Sequence, residues 1–152
     1  MPYMRTDEEL IQRMMELAES RYNCSQILML LALEQAGRQN PDLVRAMSGL
    51  GDGCGFFKET CGIMTGGVSI LALYGAKGED SEEDSETLLL MVEEYGEWFE
   101  REIGEQYGGT RCIDITKELA GTPDVKQICG GLVFAAHKKI NTILDRHGFL
   151  TS

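Results

Sequence analysis

Five cysteines are the residues in this chain whose type and spacing offer the most chemistry: Cys24, Cys54, Cys61, Cys112 and Cys129. None belongs to a Cys-x-x-Cys pair, the spacing typical of structural zinc sites. Asn23 can cap a helix at Cys24, and Glu59-Thr60 precede a helix that opens after Cys61. Unpaired N–H groups at a helix start favour a thiolate, so we expect a lowered pKa at Cys24 and Cys61.

The remaining cysteines occupy different kinds of position. Cys112 follows Gly108-Gly109 and is expected in a loop, whereas Cys129 falls on the apolar stripe of the last helix. Two helix starts, a loop and a core-facing helical position can converge at one point of a helical bundle. Taken singly, each cysteine can be interpreted as a small buried core residue, although the glycine-rich segment before Cys61 disfavours packing as its sole role. Spacing alone leaves both interpretations open.

Hydrophobic periodicity predicts the elements that must position these thiols. Thr6 and Glu9, like Asn23 and Gln26, have the spacing of a capping box at a helix start. We expect an all-α, single-domain bundle of five to six helices over residues 1–152, with a glycine-rich loop leading into a cysteine site. The helices are expected after residue 6, over 24–37, from 40, over 62–76, over 88–103 and from 122 to 148. No segment shows the alternation of a strand.

Charge restricts the partners of this chain. Asp and Glu number 25 against 14 Lys and Arg, so the net charge is −11, which disfavours binding to nucleic acid. Residues 79–105 hold twelve acidic residues and one basic residue, Arg101. This segment is interpreted either as a solvated helix face or as a docking surface for a basic redox partner.

The sequence also bounds location and assembly. No apolar run approaches the roughly 20 residues that span a bilayer, and the first residues lack the apolar core of a signal peptide. We therefore expect a cytoplasmic protein with no membrane contact, in which grouped cysteines indicate metal or redox chemistry rather than disulfides. A homodimer is a further expectation, because the helices have few polar faces.

Four cysteine-containing segments carry a resemblance to a known family: YNCSQ (22–26), ETCGIMTGG (59–67), RCIDIT (111–116) and QICGGLV (127–133). They are similar to the C_GCAxxG_C_C family of redox-active proteins, with four cysteines and a Cys-Gly-Ala-x-x-Gly motif. Carried over by position, the resemblance implies a shared cofactor or metal site. Its expected ligands are Cys24, Cys61, Cys112 and Cys129. Ile63 replaces the alanine of the motif, and Cys54 lies outside the pattern.

The resemblance implies a small redox-active protein in which the four cysteines bind an iron–sulfur cluster for electron transfer or redox sensing. Zinc suits the same four thiolates, which would make the chain a structural adaptor. A third hypothesis is a metal-free thiol–disulfide oxidoreductase with Cys61 as nucleophile. The fold also resembles part of the split-Soret cytochromes c, but no Cys-x-x-Cys-His is present, so c-type haem is excluded.

Other chemical groups are less promising. His137 is expected on a partly exposed helix face, and His147 lies where the last helix should end. Glycine-rich residues 49–55 follow no predicted strand, which argues against a dinucleotide site.

Overall fold

Six helices of seven residues or more build the part of the chain that the structure, a computed structural model, describes: residues 4–119 and 122–150. In chain order they are α1 Asp7–Glu19, α2 Cys24–Gln35, α3 Pro41–Met47, α4 Gly62–Gly75, α5 Leu88–Phe99 and α6 Pro123–Arg146. Short helical turns cover Ser48–Leu50, Gly51–Cys54, Glu100–Gly104, Glu105–Tyr107, Cys112–Thr116 and Lys117–Leu119. The prediction of an all-α fold with five to six helices is confirmed.

The helix starts follow from their capping residues. Thr6 Oγ1 accepts a hydrogen bond from Glu9 N at 3.2 Å, and Thr6 N donates to Glu9 Oε1 at 3.0 Å. Asn23 and Gln26 make the same reciprocal pair at the start of α2, with both distances 3.1 Å. Each box satisfies two N–H groups that lack partners in the first turn of a helix. Cys24 is therefore fixed as the first residue of α2.

Helix α2 forms the centre of the bundle. It is apolar around most of its circumference and packs against α4 and α6, while α5 covers the other side of α4. Leu28, Leu31, Ile70 and Leu71 are all fully buried between these helices. Since each such side chain contributes about 1.5–3 kcal/mol on burial, the α2–α4 contact is a principal source of stability. No described helix is both long enough and apolar enough to cross a membrane.

Close approach of α5 to α4 depends on a glycine. Tyr95 of α5 is fully buried, and its hydroxyl donates to the carbonyl of Ile63 at 2.7 Å. The Tyr95 ring lies directly over Gly67, where a Cβ atom would come within 3.0 Å of the ring carbons. Gly67 costs the helix about 1 kcal/mol relative to alanine, and the aromatic contact offsets that cost.

We predict that Gly67→Ala lowers the free energy of unfolding by about 1–3 kcal/mol, because the new methyl group overpacks the Tyr95 ring. Gly131→Ala is the matched control. Gly131 is exposed in α6, nothing lies within 4 Å of the position that a methyl group would take there, and alanine is the better helix former. Urea titration followed by circular dichroism measures both variants. Equal stability of the two would contradict the packing assigned to Gly67.

Candidate functional site

An antiparallel bridge between two distant segments sets Cys61 beside Cys112. Thr60 pairs with Arg111, so Cys61 N donates to Thr110 O at 2.9 Å and Cys112 N donates to Glu59 O at 2.6 Å. Both cysteines are buried. Cys61 caps the start of α4, as predicted, whereas the prediction that Cys112 lies in a loop was wrong. Because the bridge orients Arg111 as a cap, Cys112 begins the short helix Cys112–Thr116.

Gly62, which follows Cys61, lies close to the sulfur of Cys24. A Cβ atom on Gly62 would lie 3.3 Å from Cys24 Sγ and 2.6 Å from the carbonyl oxygen of Leu50. The contact with the Leu50 carbonyl excludes a side chain here, so only glycine allows the start of α4 to approach the Ser48–Leu50 turn this closely, with the Cys24 sulfur alongside. The glycine that follows Cys61 in the sequence is thus a requirement of the site.

Cys129 reaches the site from α6. It is half-buried and shares with Cys24 the wall of an open cavity of about 730 Å³ between α1, α2 and α6. The prediction that Cys129 lies on the apolar side of the last helix agrees with this position, although the thiol faces a cavity rather than a closed core. Ile11, Met15 and Phe134 line the same cavity.

The four thiols influence one another electrostatically. Ionisation of one raises the pKa of its neighbour in the pairs Cys24–Cys61, Cys24–Cys129, Cys61–Cys112, Cys61–Cys129 and Cys112–Cys129. These pairs connect all four cysteines that the sequence resemblance selects. Cys54, the cysteine outside the family pattern, has an exposed side chain.

Burial dominates the ionisation of each thiol in this cluster. It raises the pKa of Cys24 to about 12 and that of Cys129 to about 11, with repulsion from neighbouring thiolates as the next cause. The pKa values of Cys61 and Cys112 are also raised by burial. The prediction of lowered pKa values at Cys24 and Cys61 was wrong, because loss of hydration outweighs the helix-start N–H groups.

The backbone at the helix starts acts against the effect of burial. The backbone of Ile63 and Met64 lowers the pKa of Cys61, and the backbone of Asp52 lowers the pKa of Cys24. The Met64 N–H itself donates to the Cys61 carbonyl at 2.9 Å. N–H groups near a sulfur stabilise its ionised form and tune the potential of any group bound to it.

Two charged side chains that sequence reasoning did not select also act on the cluster. Lys58 lowers the pKa of Cys112 and Cys129, whereas a carboxylate at Asp52 raises the pKa of both. They belong to the glycine-rich segment GLGDGCGFFK, so their nearness to Cys54 and Cys61 in sequence was the available signal. Because the two charges oppose each other, they leave burial as the largest influence.

The glycine-rich segment forms a left-handed turn. Positive φ angles continue without interruption over residues 52–56: Asp52 at 55°, Gly53 at 64°, Cys54 at 66°, Gly55 at 64° and Phe56 at 77°. Residues with side chains cost roughly 1–2 kcal/mol each in this conformation. The turn is closed by Lys58 N donating to Asp52 O at 3.2 Å and Glu59 N donating to Gly53 O at 3.0 Å. It places Asp52 in the wall of the cavity that Cys24 also lines, and it leaves the Cys54 side chain exposed to solvent.

The side chains that could bind a metal lie far apart from one another in this conformation. Across residues 4–119 and 122–150, no three histidine, cysteine, aspartate or glutamate side chains lie close enough together to hold a metal ion. A metal or cluster bound by the four cysteines would therefore require their sulfurs to move closer together.

Both histidines lie outside the cysteine cluster. His137 was predicted to be partly exposed, but it is buried between α2 and α6, where Asn141 contacts its Nε2 atom at 3.2 Å. The interaction of Asn141 with Gln35 of α2 holds this part of α6 against the core. His147 ends α6, as predicted, and lies 3.9 Å from Glu94.

The chain matches a known family over most of its length. Residues 22–143 match the family described as "Putative redox-active protein (C_GCAxxG_C_C)". The family label writes glycine before the cysteine of the motif, whereas this chain reads Thr60-Cys61-Gly62. No curated protein and no solved structure matches the chain.

We predict that the reduced, metal-free protein loses stability as pH rises from 8 towards 11. A thiol whose folded pKa is raised stabilises the fold below its unfolded pKa of about 8.5, and that stability is lost as pH increases. Cys24→Ala should flatten the fall of the urea midpoint between pH 8 and pH 10. Cys54→Ser serves as control and should retain the parent slope, because Cys54 is exposed. Identical slopes in the parent and Cys24→Ala would mean that the Cys24 thiol is hydrated.

Proposed function

Because the chain belongs to the C_GCAxxG_C_C family of redox-active proteins, we propose that its four clustered cysteines bind an iron–sulfur cluster for electron transfer or redox sensing. The proposed ligands are Cys24, Cys61, Cys112 and Cys129. The observation that supports the proposal is geometric: the Thr60–Arg111 bridge brings the Cys61 and Cys112 segments together, Gly62 lies against the Cys24 sulfur, and Cys24 and Cys129 share one cavity wall.

These thiols have little positive charge near them to stabilise their ionised forms. Lys58 is the only cation that lowers the pKa of any of the four thiols, as judged over the described residues, and Asp52 opposes it. In the absence of a bound cation the thiols therefore remain protonated at neutral pH. A coordinating metal reverses this balance, since its charge deprotonates a thiol outright. A buried thiolate cluster with so little internal compensation is suited to a cationic cofactor.

The donor set fits an iron–sulfur cluster. Four cysteine thiolates are the usual ligands of [2Fe–2S] and [4Fe–4S] clusters, which supply one-electron chemistry when bound. The backbone at Asp52, Ile63 and Met64 lowers the pKa of two of the cysteines and so favours their ionised form. Hydrogen bonds to ligand sulfur tune the reduction potential of such clusters.

The alternatives are less well supported. A thiol–disulfide enzyme with Cys61 as nucleophile needs an accessible thiolate, but Cys61 is buried and its pKa is raised. Zinc suits four thiolates equally well, but it has no redox chemistry of its own and would not explain the redox character of the family.

A basic redox partner docking on residues 79–105 remains part of the proposal. Glu93 and Glu97 of α5 are exposed, whereas Glu94 is already occupied by Arg146 and Lys139 of α6. The surface available to a partner is therefore the side of α5 that carries Glu93 and Glu97, together with Glu100 in the turn that follows α5.

We predict that protein purified without oxygen is brown and contains iron and acid-labile sulfide. Cys61→Ser and Cys129→Ser should each lose most of the iron, because each removes one of four ligands. Cys54→Ser is the matched control and should retain the iron content of the parent, since Cys54 lies outside the cluster of thiols. Metal analysis and visible absorption provide the measurement.

Three results would count against the iron–sulfur proposal. A colourless protein with stoichiometric zinc would favour the adaptor. A metal-free protein that forms an internal disulfide on mild oxidation would favour the oxidoreductase. Equal iron loss in Cys54→Ser and Cys61→Ser would make Cys54 a ligand and require a new ligand set.

A further inference from the structure

An exposed pair of aromatic side chains projects from the left-handed turn. Phe56 and Phe57 are 76% and 79% exposed, and they form what we term the aromatic knob. Large apolar side chains with this exposure are expected on the surface singly, but two adjacent phenylalanines at a fixed turn suggest a binding element. The turn that presents them is closed by backbone hydrogen bonds from Lys58 and Glu59, so its shape is defined.

The second feature is the open cavity lined by Cys24 and Cys129, which we term the apolar groove. Ile11 and Met15 of α1 and Tyr22 form part of its wall and are 47%, 54% and 38% exposed. Its volume of about 730 Å³ lies within the range of cavities that enclose drug-sized ligands. It is therefore large enough to receive aromatic side chains.

The knob and the groove are neighbours on one face of the chain. Asp52 lines the apolar groove and also begins the left-handed turn that ends at Phe56. The knob nevertheless stays exposed and does not fill the groove of its own chain. When a projection and a complementary recess lie side by side, two copies related by a two-fold axis can satisfy both at once, giving a closed isologous interface.

We propose that the aromatic knob of one copy inserts into the apolar groove of a second copy, so that the protein forms a two-fold symmetric homodimer. Two phenylalanines, each three-quarters exposed, present about 300 Å² of surface. Counting both knobs and the groove surfaces that they cover, reciprocal insertion buries roughly 1,200 Å² in total. That area exceeds the roughly 1,000 Å² expected of a specific interface.

The dimer would complete the surroundings of the thiols. Cys24 and Cys129 face the groove, so the phenylalanine rings of the second copy would cover them and displace water. Exclusion of water strengthens electrostatic interactions at a buried site. Because each copy carries a net charge of −11, the two copies repel one another, and added salt should tighten the dimer.

The first experiment measures mass in solution by sedimentation equilibrium on the full chain in its reduced, metal-free form. We expect twice the chain mass of 16.9 kDa for the parent and at least a tenfold weaker dimer for Phe56→Ser/Phe57→Ser. Leu89→Ser/Leu90→Ser is the matched control, because these residues are 78% and 57% exposed on α5, outside both features. The control should dimerise like the parent.

A second experiment tests reciprocal insertion directly. Met15→Glu places a charge in the apolar groove, and this variant keeps its knob, whereas Phe56→Ser/Phe57→Ser keeps its groove. Each variant alone should dimerise at least tenfold more weakly than the parent. In an equimolar mixture the heterodimer should be tighter than either homodimer but weaker than the parent dimer, because one of the two knob-in-groove contacts is restored. Circular dichroism confirms that both variants are folded.

Several results would overturn the dimer proposal. These are a monomeric parent at every concentration, loss of the dimer in the Leu89/Leu90 control, or no heterodimer in the mixture. A brown, iron-containing monomer would overturn the dimer while leaving the proposed function intact. A metal-free dimer would overturn the iron–sulfur proposal while leaving the dimer proposal intact. The two proposals therefore fail independently.

Discussion

The partial removal of four thiols from water, with only Lys58 as a positive charge acting on them among the described residues, is the constraint on which the rest of this structure depends. Burial raises their pKa values, and the ionised forms would repel one another, so the metal-free site is held in the neutral state. The surrounding helices must then be stable enough to hold the four cysteine-bearing segments in place. The apolar α2–α4 contact, with its fully buried Leu28, Leu31, Ile70 and Leu71, supplies that stability.

Close packing at the site follows from small residues at two contact points. Gly67 receives the ring of Tyr95, which fixes α5 on α4, and Gly62 lets Cys24 approach the start of α4. Each glycine weakens its helix locally, yet each permits an approach that no other residue type would allow. The bridge between Thr60 and Arg111 adds the second cysteine-bearing segment, so Cys61 and Cys112 are positioned by backbone hydrogen bonds.

Sequence reasoning identified the helices because their signals are local. Capping boxes at Thr6 and Asn23 and the apolar periodicity of α5 specify helix starts and buried faces within a few residues. The choice of four cysteines came from the order and spacing of the matched segments. The ionisation of those thiols could not be predicted in this way, because it depends on which distant segments bury them. The helical position of Cys112 was missed although a local signal was present: Asp114, three residues after Arg111, accepts from the Arg111 N–H at 3.2 Å at the start of this short helix.

The buried amide pair between α2 and α6 has a consequence for behaviour in acid. Asn141 Nδ2 donates to Gln35 Oε1 at 2.9 Å and contacts His137 Nε2 at 3.2 Å, which assigns the imidazole proton to Nδ1. Burial, with Arg5 and Lys138, lowers the pKa of His137 to about 4, so the folded protein does not take up this proton near neutral pH. The unfolded chain does take it up below about pH 6.5, and stability therefore falls as the solution is acidified. His137 lowers the stability of the fold in acid, and the buried thiols lower it in alkali. We therefore expect these groups to make the bundle most stable around neutral pH.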